Sequence, residues 1–500
     1  MSLSPQKLRN STGHMPAWPW LSTSGIKMKN NKALLAIVAL AFCLRLFYIS
    51  DPVLEWHSFR QADTASITYE YVQNGVDILH PRFHDFSNIA SGKDNLEGYR
   101  MVEFPWIHAL LASILRLVPQ FSLVVASRLF SVLFSLVTLL SLYFFVKLFS
   151  NKKTALLAAA TFALLPYAVF YSRVILPDPI MLALSTASLT FFAYWLERNK
   201  WWQYLASFVL LGLAALTKPF VLFLAPVYLA LLLVKLLARS LKKEQFFWSL
   251  LLPVSLVPLL WWRNWITQFP SGIPASDWLY NGLINGKAPR FQPVWFRWLG
   301  YERVMKLILG YFGTVFFLPI LLHWKKLQTT ELLVYGSWWV SIAAYFTVIA
   351  RGNIQHDYYQ ILALPIICIT VAKGAMLLAK KLPPVVVAGL YLLMLLFSYN
   401  LVKEYYKINH WEYQRAGQRV QELVPKDAIV IAPAFGDTSF LFQTRHRGWP
   451  IGFEIDKKIA MGAQYYVTTS YDDEARMLES QYETVEKTPE YLIFNLQNPL

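Results

Sequence analysis

Cysteine is nearly missing from this 500-residue chain, which carries two, Cys43 and Cys368, both inside apolar runs. No disulfide framework and no thiolate metal site can be built from them, and packing is their expected role. Charge is scarce as well. Asp, Glu, Lys and Arg make up 15% of the residues, against about a quarter in an average soluble domain, while 56% are hydrophobic. That balance excludes an ordinary soluble globule and fits a chain that crosses a bilayer many times. Also missing are a phosphate-cradling P-loop, a dinucleotide fingerprint, a Ser–His–Asp order and a nucleic-acid motif. No internal repeat is visible, so an inverted-repeat transporter has no direct support.

What is abundant is apolar sequence. Runs near 33–49, 125–148, 154–171, 179–196, 202–216, 220–237, 247–266, 304–322, 332–350, 358–379 and 385–402 approach the roughly 20 residues that span a hydrocarbon core. They predict an all-α polytopic membrane domain over 33–402 with about 11 transmembrane helices. The net charge of +16 has a pattern. Lys and Arg fall in alternate connections, at Lys27, Lys29 and Lys32, then Lys147, Lys152 and Lys153, and on through Lys380 and Lys381. This positive-inside distribution puts the amino-terminal tail 1–32 in the cytoplasm. The polar stretch 51–104, the loop 267–303 and the tail from 403 then face outward. The basic excess reads as orientation and contact with anionic lipid, not as nucleic-acid binding. The first run lacks a small-residue cleavage site and reads as an anchor, not a removed signal.

Composition changes after 402, and 403–500 predicts a small α/β domain on the outer, periplasmic face. A surface helix is expected over 409–423, short buried strands at 428–432, 464–468 and 491–494, and a helix over 472–480. Turns fall at Gly436-Asp437 and Gly448-Trp449-Pro450. Within 51–104, a helix is expected over 64–73. The apolar stretch 103–118 opens with Pro105 and reads as an interfacial or re-entrant helix.

The stretch 51–104 is also the most informative for chemistry, carrying Glu55-Trp56-His57-Ser58-Phe59-Arg60-Gln61-Ala62-Asp63-Thr64 and closing with Glu103-Phe104-Pro105. Asp63, near the membrane among aromatics, can serve as a general base towards an acceptor hydroxyl. The plainer alternatives are a solvated loop acid, or a partner for Arg60 three residues earlier on one helical turn. Glu55, His57 and Glu103 share the loop as candidates for acceptor contact or pocket shaping. Asp178, in Pro177-Asp178-Pro179, either joins Asp63 in one pocket or merely complements a helix amino terminus. Lys218, Arg351 and His356 lie in outward loops, against the orientation rule, and suit binding of a lipid phosphate as leaving group. Snorkelling at the interface is the alternative for each. Arg173, Arg263 and Arg290 are further cations. His57, Asp63, His80, His84 and Asp85 include metal-ligand types without the spacing of a known site, so no metal ligands are assigned and a divalent ion stays open.

The order Phe59-Arg60-Gln61-Ala62-Asp63-Thr64, Glu103-Phe104-Pro105, Ser172-Arg173 with Pro177-Asp178, Thr217-Lys218-Pro219, and His356-Asp357-Tyr358-Tyr359 up to Pro365 resembles the GT-C glycosyltransferase superfamily. Among its members it is most similar to bacterial relatives of protein O-mannosyltransferase and to the aminoarabinose transferase of lipid A. The resemblance implies a polyprenyl-phosphate-linked sugar as donor and a glycolipid, glycan or protein hydroxyl as acceptor. Asp63 then matches the catalytic acid of the first loop and Asp178 the supporting acid of the second. Lys218, with Arg351, His356, Arg173 and Arg60, would contact the donor phosphate. Three positions depart from the pattern: Ala62-Asp63-Thr64 replaces paired acids, His356-Asp357 stands where Arg or Lys is common, and Glu103-Phe104-Pro105 replaces a double-proline version. The expected activity is an inverting transfer of one hexosyl or pentosyl unit. The rivals are a transporter or flippase of a lipid-linked or anionic solute, a ligase of whole glycans, and a non-catalytic scaffold.

Overall fold

The computed structural model describes residues 31–276, 290 and 292–500. Most of the expected cytoplasmic tail, with Lys27 and Lys29, and the middle of the 267–303 loop lie outside the described residues. Every apolar run expected to span is helical, but several are shorter or broken. Among the described residues, six helices are long and apolar enough to cross a membrane, or seven if one bent pair counts as a single span. Prolines and a glycine account for much of the difference from about 11. Pro166 divides 154–171 into Lys152–Leu164 and Pro166–Tyr171, because its missing N–H and ring clash interrupt the helical ladder. Pro293–Ile308 and Phe312–Leu322 meet at 100°. Gly310 sits at this corner with φ +49°, and a Cβ there would lie 2.3 Å from the Met394 carbonyl, so no larger residue fits.

The long helices begin and end on local signals. Ser122 caps Leu123–Phe149, and the Asn151 side chain accepts from the Thr154 N–H at 2.9 Å to start the next helix. Pro177 opens Pro177–Arg198 at its first turn, and Asn199 closes it in the left-handed conformation. Pro177–Arg198 is the central helix: 89% of its apolar window is buried inside the protein, against 33% for Lys243–Gln268. It packs between Leu123–Phe149 and Trp201–Thr217. Pro219 ends Trp201–Thr217 and leaves Lys218 extended at the break.

The expected first-loop helix is present as Ser58–Asn74, and the apolar stretch that follows forms Trp106–Leu117. Beyond Val402 the chain builds a five-stranded sheet from β1 (Ile429–Ile431), β2 (Arg447–Trp449), β3 (Tyr465–Thr468), β4 (Tyr482–Lys487) and β5 (Leu492–Pro499). Its order is β2-β1-β3-β5-β4. β1 is parallel to β2 and β3, while β5 is antiparallel to β3 and β4. β2 and β4 were not expected from sequence. β2 is short and holds Arg447 and Gly448, and β4 is polar and half-exposed, so neither shows an apolar alternation.

The helix Thr438–Thr444 crosses from β1 to β2 and packs against Ser58–Asn74. The first loop also pairs with the sheet. Phe86 N–H donates to the Gly448 carbonyl at 2.7 Å, and Gly448 N–H donates to the His84 carbonyl at 2.9 Å. Gly448 is irreplaceable here, since its φ is +149° and a Cβ would overlap the Val430 carbonyl. Arg447 forms a bidentate pair with Glu70 of the first-loop helix. The sheet is thus bolted to the loop that carries Asp63.

Candidate active site

Helix Ser58–Asn74 aims Arg60 and Asp63 into a cavity of about 850 Å³. Two kinds of wall enclose it. Pro219, Phe220, Leu222, Phe223, Leu259 and Leu260 come from apolar helices, with Leu222 and Leu260 partly exposed. The other wall comes from the first loop, through Asp85, Ile89, Ala90 and Arg100, and from Gly436 and Thr438 beyond β1. One side can take hydrocarbon and the other polar material, and the titratable groups stand between them.

Asp63 is held at both carboxylate oxygens. Arg100 Nη2 lies 2.9 Å from Oδ2, and the Thr438 hydroxyl donates to Oδ1 at 2.7 Å. Arg60 is paired with Glu103 at 2.6 Å. Burial pushes the Glu103 carboxyl up, but Arg60, Lys218 and Arg100 outweigh it and hold it at about 2. Burial lowers Arg100, partly offset by Asp63. Asp85 is buried at 4% exposure, and that burial raises its carboxyl to about 6 despite the Ser87 N–H bonded to it.

Lys218 lines the cavity with its ammonium 2.8 Å and 2.9 Å from the two Asp178 oxygens. The rings of Phe220, Tyr358 and Tyr359 lie 5.1, 5.2 and 4.4 Å from it. Asp178 therefore stands behind Lys218 as its counter-ion and is not among the cavity-lining residues. His356 lines the cavity, and burial with the nearby charges of His57 and Lys218 drives its imidazole down to about 3. It is neutral at physiological pH, so it can offer a hydrogen bond but not a charge. Arg263 lines the cavity from the apolar side, is exposed, and has no ion-pair partner among the described residues.

Other sequence candidates lie elsewhere. Glu55 is fully buried between Arg128, 2.9 Å away, and Arg173. Arg128 also donates to the carbonyls of Ile49 and Asp51, and Arg173 to that of Tyr48. Neither Glu55 nor Arg173 lines the cavity, because each is used up by the other in securing the end of the first helix. His57 donates through Nε2 to Asp357 at 2.6 Å, behind the cavity wall. Asp357 also takes the Trp56 indole and the hydroxyls of Tyr171 and Tyr405. Arg351 is exposed and away from the lining, and Arg290 is buried with its Nε on the Thr347 carbonyl. Arg100 and Thr438 were not singled out from sequence. Arg100 follows a turn-rich stretch and Thr438 lies 375 positions from Asp63, so neither has a local signature.

No group of three or more His, Cys, Asp or Glu among the described residues is arranged to hold a metal ion. The three cavity acids of the loop are already engaged, Asp63 by Arg100, Asp85 by Ser87 and Glu103 by Arg60.

With its apolar helices, this is an integral membrane protein. Its fold is that of the GT-C membrane glycosyltransferases, as two comparisons indicate. The chain is similar to ArnT from Cupriavidus metallidurans bound to undecaprenyl phosphate, with TM-score 0.65 and 14% identity over 92% of this chain and 97% of that one. It is also similar to the Archaeoglobus fulgidus oligosaccharyltransferase, with TM-score 0.55 and 13% identity over 87% of this chain and 68% of that one. A sequence model of the dolichyl-phosphate-mannose-protein mannosyltransferase family matches residues 103–262. No curated protein sequence matches the chain.

Proposed function

We propose that this protein is an inverting glycosyltransferase that moves one sugar from a polyprenyl-phosphate donor to an acceptor hydroxyl at the outer face of a bacterial inner membrane. The observation that carries this reading is the two-sided cavity, with a carboxylate pinned at both oxygens on its polar side and cations towards its apolar side. The polyprenyl chain lies along Phe220, Leu222, Phe223 and Leu260. Its phosphate meets Lys218 and Arg263, with Arg60 nearby and a hydrogen bond from His356. An acceptor entering past Ile89 and Gly436 brings its hydroxyl to Asp63. Displacement at the anomeric carbon then releases the lipid phosphate to the cations, whose charge stabilises it as it leaves.

Asp178 holds the Lys218 ammonium in place through its two carboxylate oxygens. Glu55 and Arg173 hold the loop and leave the donor to other cations. In this reading the amino-terminal tail 1–32 is cytoplasmic, 33–402 is the membrane domain, and 403–500 is a periplasmic domain that closes the acceptor side. The likenesses to proteins bound to undecaprenyl phosphate and to dolichol phosphate with a peptide support a lipid-linked donor. A nucleotide sugar would be confined to the cytosol.

The test is mass spectrometry of envelope glycolipids and glycoproteins from cells with wild-type protein, with Asp63→Asn, or with none. One sugar mass found only with wild type is expected, and it names both sugar and acceptor. Identical spectra in all three, with the protein made, would sink the reading in favour of transport or scaffolding.

A further inference from the structure

Two phenylalanines of the carboxy-terminal unit are held in a conformation that side chains rarely adopt. Phe435 is 97% exposed with φ +53°, and Phe453 is 69% exposed with φ +61°. The left-handed region suits glycine or asparagine, and an aromatic residue there is strained. Rings so exposed add nothing to the core. We propose that Phe435, with Phe453 on the neighbouring turn, is a platform that seats a pyranose ring of the acceptor at the cavity mouth. This deepens the transferase reading above and rests on it.

The backbone around both rings is preset. The N–H groups of Ala434 and Gly436 each donate to the Pro450 carbonyl at 2.9 Å, which clasps the chain on either side of Phe435. Gly436 lines the cavity against Ile89, and two residues further on Thr438 holds Asp63. Phe453 follows three residues after Pro450. Its N–H donates to Glu474 at 2.8 Å, and the Lys458 ammonium donates to the Gly452 carbonyl at 2.6 Å. Lys457 lies 3.3 Å from Asp94 and so ties this turn to the first loop. A platform fixed in this way needs no ordering when the acceptor binds.

The surroundings choose between kinds of acceptor. A polypeptide recognised by backbone pairing needs an open strand edge. β2 is the edge strand beside the first loop, and its Gly448 is already paired with the stretch 84–86. An acyl chain needs a continuous apolar face, whereas Asp94, Glu454 and Lys457 stand exposed around the Phe453 turn. A sugar suits both rings and charges. Its C–H hydrogens, polarised by the ring oxygens, rest on the negative face of an aromatic ring, while its hydroxyls meet water and the charged rim. The chemistry is the same for a saccharide borne on a lipid and for a free glycan.

The experiment uses full-length protein in detergent micelles. Cells lacking the protein supply a polyprenyl-phosphate-sugar fraction as donor and an envelope glycolipid fraction as acceptor, and mild acid releases the saccharide of the latter as a second probe. Phe435→Gly relieves the strained turn, so its thermal midpoint should hold or rise. Its KM for the glycolipid fraction should rise about tenfold while the donor KM holds. Phe435→Trp should bind acceptor nearly as well as wild type. Saturation transfer from protein to acceptor, read by NMR, should be seen with wild type and lost in Phe435→Gly. Transfer to the released saccharide identifies a glycan source, and transfer only to the intact glycolipid a lipid-borne one, with the same dependence on Phe435.

An unchanged acceptor KM in Phe435→Gly and in its double with Phe453→Gly overturns the platform, and is the outcome expected of rings that dip into the bilayer instead. A fall in kcat with no change in KM overturns it too, since the turn then serves only to support Thr438. Sugar found only on polypeptide overturns the saccharide assignment. No product from wild type removes the transferase reading, and the NMR contrast then decides the platform by itself.

Discussion

The Thr438 hydroxyl reaches Asp63 at 2.7 Å across 375 positions of sequence, from the helix that links the first two strands of the sheet. A residue of the carboxy-terminal unit thereby sets the direction of the Asp63 carboxylate. Thr438→Val keeps the shape and removes the donor. A hydrogen bond to a charged group contributes about 1.5–3 kcal/mol, so kcat/KM should drop by about 10- to 100-fold. The thermal midpoint of the purified protein should fall as well, because the same bond satisfies a buried carboxylate. Unchanged kinetics would mean that Arg100 alone orients Asp63.

Lys218 and Asp178 should fail in a different way. Lys218→Met leaves a carboxylate buried at 1% exposure without its ammonium, a change that costs about 3–5 kcal/mol. Little folded protein is expected in the membrane. Pairing it with Asp178→Leu removes the stranded charge and should restore folded protein without restoring transfer. Recovery of both would show that Lys218 has no part in binding the donor.

Arg173 and Arg263 form a contrasting pair. Arg173→Met strands Glu55 beside Arg128 alone and should lower stability by about 3 kcal/mol, while the enzyme that does fold keeps its donor KM. Arg263→Ala should leave stability within about 0.5 kcal/mol and raise the donor KM about tenfold or more. Thermal scans and kinetics on the same preparations check both.

His84 should make the protein sensitive to acid. Its ring is 2% exposed, neither ring nitrogen has a hydrogen bond among the described residues, and burial with the charges of Arg445 and Arg447 keeps it well below the usual histidine range although the Glu70 carboxylate lies 3.6 Å from Nε2. The folded protein refuses a proton that the unfolded chain accepts below pH about 6.5. Stability therefore falls as pH drops through that value, by about 1.4 kcal/mol per unit. His84→Phe should flatten the melting temperature between pH 7.5 and 5. An unchanged slope would place the acid sensitivity elsewhere.

Much of this arrangement was readable from sequence where the signal was local. Apolar runs located the helices, and Asp63, Arg60, Glu103, Lys218 and His356 all line one cavity. Helix lengths were less readable, since Pro166 and Gly310 break runs that hydropathy alone joins. Glu55 and Arg173 drew attention for their charge, yet they meet 118 positions apart in a buried pair. Nothing in either local sequence announces such a pairing. Asp85 stood out only as a possible metal ligand, because its place on the wall depends on the strand-like bonds of its neighbours to Gly448.

Those bonds carry a consequence in time. Thr438 is made 375 positions after Asp63, and Gly448 follows it. Until they arrive, both acids lack the contacts that fix them. The nascent chain can be anchored in the bilayer for most of its synthesis while no working site exists, so a chain truncated before the sheet is complete should be inserted and inert.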